Sequence, residues 1–402
     1  MMTDVMEKMS ENNDVADYRA AVSGWLDENL PAGFLSDSPT FADPGTEEIR
    51  DWERRLYEAG YSGMTIPRAY GGQGLSFDEH LIVNQEVGRR ALPESVNSIG
   101  KEIISTILMA MGTEEQKRTY LPGIFSMKHI WCQGFSEPQA GSDLAAVRTK
   151  AVRDGGKWRI NGSKIWTSYA QRADFCLLLV RTGDPADRYR SLSLIIVPMG
   201  TKGIDIRPIR QIDGSDEFCE VFFDDVLVDA DGIVGEVDAG WSGAVSVLSV
   251  ERATNRMYRG WRFENELRHL VSVCKAEPVL KVRLADSGTA AALRALSTDA
   301  RVVQLYAEKI VAMIREDRSP GPIGSLMKLH WSEAHQRLAD FALRLLGAQV
   351  PDPSPALMAA RRRFQTIYLR ARSESLIAGS SEIQSAIIAD RFMGLPKGRA
   401  AQ

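Results

Sequence analysis

The sequence predicts an α+β chain with an N-terminal helical domain, a central β-barrel-like or sandwich domain and a C-terminal four-helix bundle. Three observations predict it. Apolar residues recur at helical spacing up to about residue 130. From Trp131 to about Val237 the period drops to two, as it does in half-buried strands. Beyond Gly240 helical spacing returns over four long amphipathic stretches, the pattern of a bundle. The expected domains are 1–130, 131–240 and 241–402, and 402 residues is long for a single core.

Each element has a local reason. Tyr18, Val22, Trp25 and Leu26 mark a first helix that ends at Pro31. Ile49, Trp52 and Leu56 mark a second, from about Thr46 to Ala59, with Gly60 as its stop. Ser76 with Glu79, and Thr113 with Gln116, have the spacing at which two side chains cap a helix start reciprocally. In the β region, Lys157–Ile160 and Ser163–Thr167 flank Asn161-Gly162, a pair that tolerates positive φ and predicts a hairpin turn there. Strands are expected at 176–180, 192–197, 204–209 and 219–228. The bundle helices are expected from near Ala244 into the 270s, then at about 290–316, 325–346 and 356–376, with a last helix at 382–392.

Composition excludes several classes of function. Forty-nine Lys and Arg against 53 Asp and Glu leave a net charge of −4, with no basic arm, so nucleic acid is not an expected partner. No run of eighteen apolar residues occurs, so no membrane span is expected. The polar N-terminus lacks the apolar core of a signal peptide, and a cytoplasmic location is the expectation. The four cysteines are spaced for neither a zinc site nor a disulfide framework. His330 and His335 stand five apart, on different helix faces, and no metal is expected.

The chemistry-bearing segment is Phe135-Ser136-Glu137-Pro138-Gln139-Ala140-Gly141-Ser142-Asp143, followed by Thr149 and by Asn161-Gly162-Ser163-Lys164-Ile165-Trp166-Thr167-Ser168. It offers hydroxyls, a tight Ala-Gly turn and one aromatic plane. Such groups suit a planar heteroaromatic ring with carbonyls. They also suit a polar loop packed on strands.

These stretches resemble the two signature segments of acyl-CoA dehydrogenases. Gly60-Tyr61-Ser62-Gly63 through Gly71-Gly72-Gln73-Gly74-Leu75-Ser76 resembles that family's N-terminal block. Gly235 to Trp241 resembles the exit from its β domain, and Gly379-Ser380-Ser381-Glu382-Ile383-Gln384 resembles its C-terminal block. The resemblance covers nearly the whole chain and implies the family's helical–β–helical fold. It further implies FAD as cofactor, an acyl-CoA thioester as substrate and electron-transfer flavoprotein as the electron acceptor. It places Gln133, Phe135 and Ser136 along the pyrimidine side of the flavin, Trp166 near the ring and Ser168 near flavin N5. Ser142 falls at the mouth where the pantetheine enters, and Ser380 and Glu382 at positions that touch the FAD adenosine.

The reaction removes a proton from Cα while hydride leaves Cβ, so it needs a carboxylate in a water-poor pocket. Most family members place that base just before the Gly-Thr/Ser of the C-terminal block. Here the position is Ala378, which cannot take a proton. A minority branch, including the isovaleryl- and long-chain-type enzymes, carries its Glu before an Arg on the first helix of the C-terminal domain. Leu248-Ser249-Val250-Glu251-Arg252 matches that place and implies Glu251 as the base.

A second departure is the absence of an Arg-x-x-Phe-Gly stretch within 270–282, whose Arg in many members reaches a neighbouring subunit's FAD. These losses resemble a bacterial subgroup acting on bulky substrates, including CoA-activated steroid side chains. Some of its members are α2β2 heterotetramers. A homotetramer or an α2β2 heterotetramer is therefore expected. Two alternatives stay open: a flavin monooxygenase or oxidase of the same fold, and a subunit inactive without its partner.

Overall fold

A computed structural model of the chain describes residues 2–31, 47–90, 92–241 and 257–396, with side chains from residue 15 onward. It forms two compact units, one from the described residues within 1–42, 75–93 and 253–402, the other from those within 43–74 and 94–252.

The second unit holds the sheet. Its helices are α2 (Glu47–Glu58), α4 (Ser105–Met111) and α5 (Glu114–Phe125), and a π-helical stretch, Ile99–Ile104, runs directly into α4. Thr113 and Gln116 form the expected reciprocal cap at the start of α5. Eight strands follow: β1 (Trp131–Gly134), β2 (Lys150–Asp154), β3 (Lys157–Ser168), β4 (Phe175–Arg181), β5 (Leu192–Pro198), β6 (Ile204–Ile209), β7 (Phe218–Asp229) and β8 (Ile233–Val234). The sheet order is β6-β7-β3-β2-β4-β5-β8, and β1 adds to β4 in parallel, Trp131 opposite Phe175.

β4 explains how this unit is built. Its residues 176–181 are all buried, which reads as an unbroken apolar run because both faces are covered. Leu177 and Leu179 join Ile104, Leu121, Ile124 and Trp131 in one core. Cys176, Leu178 and Val180 point the other way, into a second core with Trp158, Ile195, Val221 and Phe223. That second core draws on strands from both ends of the sheet, so the sheet curls around it in a barrel-like manner. Each fully buried Leu, Val or Ile contributes about 1.5–3 kcal/mol.

The expected hairpin turn at Asn161-Gly162 does not occur. β3 runs straight through both residues, and the β2–β3 hairpin turns instead at Gly155-Gly156, between the paired Asp154 and Lys157. Gly155 has φ +60, the left-handed conformation such a turn needs. Asn161 is held in the sheet by Asp225, its Oδ1 accepting from the Asp225 N–H at 2.9 Å. Gly162 is glycine because a Cβ there would lie 2.7 Å from the Thr149 Cα.

The first unit is helical. α1 (Met2–Asn29) starts well before the expected Tyr18, and α3 is Phe77–Arg89. The Ser76–Glu79 cap at the start of α3 forms as expected. The remaining helices are α6 (Arg259–Ala276), α7 (Pro278–Leu284), α8 (Ser287–Arg315), α9 (Ile323–Leu346), α10 (Pro355–Glu374) and α11 (Ser381–Ile387). α7 is a short helix with no counterpart in the sequence expectation. The four long helices α6, α8, α9 and α10 share a core of Phe263, Leu270, Leu296, Leu338, Leu346 and Phe364. Asp286 caps α8 through the Thr289 N–H at 2.9 Å, and Ser354 caps α10 through the Leu357 N–H at 3.1 Å. Among the described residues no helix is long and apolar enough to cross a membrane.

Candidate active site

Five of the expected site residues come together where β1 ends and β3 ends. Gln133 is on β1, and Phe135 and Ser136 follow it directly. Trp166 and Ser168 are on the last turn of pairing of β3. A backbone hydrogen bond joins the two segments, from the Ile165 N–H to the Ser136 carbonyl at 2.9 Å.

Trp166 has an unusual backbone for a bulky residue. Three steps along β3, from Lys164 to Thr167, face two along β7, from Val221 to Cys219, so β3 carries a bulge at Ile165-Trp166. Trp166 takes φ +60 there, a left-handed conformation that is rare for a bulky side chain and that clusters at functional sites. The bulge turns the indole outward. Trp166 is 56% exposed and makes an edge-on contact with Phe218, ring centroids 6.0 Å apart. Next to it the Thr167 hydroxyl is buried without a hydrogen-bond partner. An exposed ring and an unsatisfied buried oxygen side by side form a site short of a planar, polar ligand.

The strain yields a prediction. Trp166→Gly should raise the stability of the FAD-free protein by about 1 kcal/mol through relief of the left-handed strain. Titrated with FAD, the cofactor that the resemblance implies, the variant should bind about tenfold more weakly. Thermal unfolding and FAD titration read the two effects separately.

Behind the bulge lies a pair the sequence did not reveal. Lys164 is fully buried, and its Nζ donates to Glu137 Oε1 at 2.9 Å and to the Phe135 carbonyl at 3.0 Å. Glu137 also accepts from the N–H groups of Arg148 (2.6 Å) and Thr149 (2.8 Å) and from Gln139 Nε2 (2.7 Å). Burial pulls the Lys164 pKa down to about 8, with Glu137 opposing. Burial alone would raise the Glu137 carboxyl, but the Lys164 ammonium and the bonds from Thr149, Lys164 and Arg148 outweigh it and keep it below the ordinary carboxylate range. The only sequence-level signal was the position of Lys164 on the buried face of an alternating strand.

Glu137 and Ala140 exchange backbone hydrogen bonds of 3.0 and 2.9 Å, so the turn closes on Pro138-Gln139. Ser142 is exposed beyond it. Its neighbour Asp143 is held by Arg188 at 2.7 Å.

Ser380 and Glu382 belong to the helical unit. Ser380 caps α11, its Oγ accepting from the Ile383 N–H at 3.4 Å. The Ser380 hydroxyl also lowers the pKa of the exposed Glu382 carboxyl. Ala378 precedes them at φ +54, and its carbonyl accepts from the buried Gln384 Nε2 at 3.0 Å. The buried Lys328 donates to the Gly379 carbonyl at 2.7 Å. Glu251 lies outside the described residues. Among the described residues no group of three or more His, Cys, Asp or Glu is placed to hold a metal.

Family models match the chain in sequence order: the acyl-CoA dehydrogenase N-terminal domain over residues 19–128, the middle domain over 132–226 and the C-terminal domain over 238–393. The chain belongs to the acyl-CoA dehydrogenase family. Among its relatives, acyl-CoA dehydrogenase IpdE1 of Mycobacterium tuberculosis is 37% identical over 397 residues, which cover 96% of this chain and 98% of that protein. IpdE1 of Mycolicibacterium smegmatis is 34% identical over 406 residues, with 96% and 98% covered. Among solved structures, the Tcur3481-Tcur3483 steroid ACAD superposes with a TM-score of 0.83 at 27% identity, covering 96% of this chain and 98% of that one. The ChsE4-ChsE5 complex from Mycobacterium tuberculosis gives a TM-score of 0.81 at 25% identity, again with 96% and 98% covered.

Acyl-CoA dehydrogenases are FAD-dependent flavoproteins. The residues present fit that cofactor. The exposed Trp166 ring on a strained bulge and the buried, unpartnered Thr167 hydroxyl beside it are the features that fit.

Proposed function

We propose that this acyl-CoA dehydrogenase carries out α,β-dehydrogenation of a bulky or branched acyl-CoA, such as a CoA-activated steroid side chain, to the trans-2-enoyl-CoA. The observation that carries this reading is the strained, outward Trp166 bulge tied to the Ser136 segment, in a chain matched along its length to the family. The steroid ACAD among the solved structures that this chain resembles supports the substrate class.

Bound FAD supplies the hydride acceptor, at N5. The chain's own residues do the rest. Glu251 takes the Cα proton, since Ala378 at the alternative position has no group to accept it. Gln133, Phe135 and Ser136 would hold the pyrimidine side of the cofactor, with Trp166 near the ring and Ser168 toward N5. Ser142 contacts the incoming pantetheine, and Ser380 and Glu382 hold the adenosine part. Electrons leave to electron-transfer flavoprotein.

The test is an anaerobic titration of the yellow protein with a panel of acyl-CoAs. Bleaching of the flavin band by a branched or steroid-side-chain thioester, with the enoyl-CoA as product, is the expected result. A flavin that stays oxidised with every thioester overturns the reading.

A heteromeric assembly is the second part of the proposal. The absence of Arg-x-x-Phe-Gly at 270–282 and the two-component makeup of the ChsE4-ChsE5 complex support it. Substoichiometric flavin in the protein expressed alone, restored on co-expression with a partner chain, is the outcome that distinguishes it from a homotetramer.

A further inference from the structure

We propose that Lys164 is a positioning residue for the flavin platform: its buried ammonium, shared between Glu137 and the Phe135 carbonyl, locks the segment after β1 to the Trp166 bulge, and FAD binds only to the locked form. The proposal rests on the FAD-dependent reading above and adds a residue to it.

The geometry carries the argument. The flavin-facing groups sit on two separate stretches of chain, 133–136 and 166–168. A backbone bond, Ile165 N–H to Ser136 carbonyl, joins them. Lys164 supplies the rest from below. It leaves β3 immediately before the bulge, and its Nζ reaches the Phe135 carbonyl and the Glu137 carboxylate, one on either side of Ser136. Glu137 is fixed in turn by the N–H groups of Arg148 and Thr149. The ammonium is thus the one group that bonds to both ends of the Phe135–Glu137 segment from the strand that carries Trp166.

An apolar side chain in its place would leave Glu137 buried without its cation and the Phe135 carbonyl without its donor, and two buried groups would seek other partners. The bulge already holds Trp166 in an unfavourable backbone conformation, so it has strain to release when its anchor goes.

Lys164 also gives the lock a proton. Its charge is opposed by Arg181 on β4, favoured by Glu137 and adjoined by the Cys176 thiol. With its pKa at about 8, the ammonium is largely intact at pH 7 and largely lost by pH 9. The sign follows: the binding-competent, protonated form predominates below about pH 8 and falls away above it. Apparent FAD affinity should then drop about tenfold per pH unit above that value.

The experiment is FAD binding to the apoprotein by equilibrium dialysis from pH 6.5 to 9.5, for wild type, Lys164→Met and Glu137→Gln. Wild type is expected to bind tightly at pH 6.5 and progressively more weakly above about pH 8. Lys164→Met should bind at least tenfold more weakly at pH 6.5, with a flat pH profile. Glu137→Gln keeps the lysine but removes the charge that favours its proton, so its profile should break at lower pH than wild type. That displaced break is a readout that simple loss of packing does not produce, and it holds even if the Lys164→Met protein fails to fold. Lys164→Met binding with wild-type affinity and profile, or a Glu137→Gln break that does not move down, overturns the proposal while leaving the FAD-dependent function standing. A wild-type protein that takes up no FAD at any pH overturns both.

Discussion

Glu251→Gln is expected to keep its FAD and lose turnover by about 10²–10⁴-fold, the range a positioned general base contributes. Glutamine preserves the size and hydrogen-bonding outline of the side chain while removing the group that accepts the Cα proton. Thioester binding should therefore survive, and the defect should fall on kcat rather than on KM. Stopped-flow reduction of the flavin under anaerobic conditions measures it directly. The structure supplies a companion experiment. Ala378, the alternative base position that the family resemblance implies, has φ +54, and its carbonyl accepts from Gln384. The double variant Glu251→Gln, Ala378→Glu should recover part of the lost rate, because the backbone there already tolerates a Cβ. Turnover retained in Glu251→Gln alone removes Glu251 from the mechanism.

The second large effect is on stability. His335 sits inside the helical unit with both ring nitrogens facing carboxylates: Nδ1 lies 2.8 Å from Glu374 Oε2 and Nε2 lies 3.0 Å from Glu266 Oε2. Two acceptors demand two N–H donors, which only the imidazolium has. Burial would lower the His335 pKa, but Glu374 and Glu266 overcome it and push it up to about 10. Phe263 and Trp331 wall in the ring. His335→Leu removes the cation and leaves two buried carboxylates facing a hydrocarbon, at a cost of about 3–5 kcal/mol. Equilibrium urea unfolding measures it.

A histidine whose folded pKa is raised contributes stability that is complete below its unfolded value of about 6.5 and is lost as pH climbs through the folded one. The gap between wild type and His335→Leu should accordingly shrink from pH 6.5 toward 10. Adding Glu266→Gln and Glu374→Gln to His335→Leu should recover much of the loss, since the penalty comes from stranded charges. A gap that stays constant across this range would falsify the imidazolium assignment.

Local signals were legible in the sequence, and long-range ones were not. Ser76 with Glu79 and Thr113 with Gln116 cap their helices as read, because a cap is settled within four residues. The strand boundaries from 175 to 229 also followed closely, since apolar alternation is a property of the strand itself. Asn161-Gly162 failed for the opposite reason: its Asn is bound to Asp225, 64 residues away, and tertiary pairing overrode a strong local turn preference. The Trp166 bulge was invisible because the slip in register is shared with β7. Glu137 and Lys164 stand out in sequence only as members of the chemistry-bearing stretches, and His335 only for its spacing from His330, so neither ion cluster is visible there. A buried ion is recognised only with its partner, and these partners are separated by 27, 69 and 39 residues. Trp166, Ser136 and their neighbours stand out in sequence through their hydroxyls and aromatic plane and through likeness to a family, and the structure adds that Trp166 sits strained and exposed on a bulge.

The two-faced strand β4 bears on how this protein can be divided. A middle segment cut out at its sequence boundaries would carry Leu177, Leu179, Leu194 and Ile196 with their covering helices gone. Such a fragment would expose the apolar face of its own central strands and invite self-association. The middle region, though it has a family model of its own over residues 132–226, is thus not a unit of folding, and transplanting it between relatives requires that α4, α5 and the π-helical stretch before them travel with it.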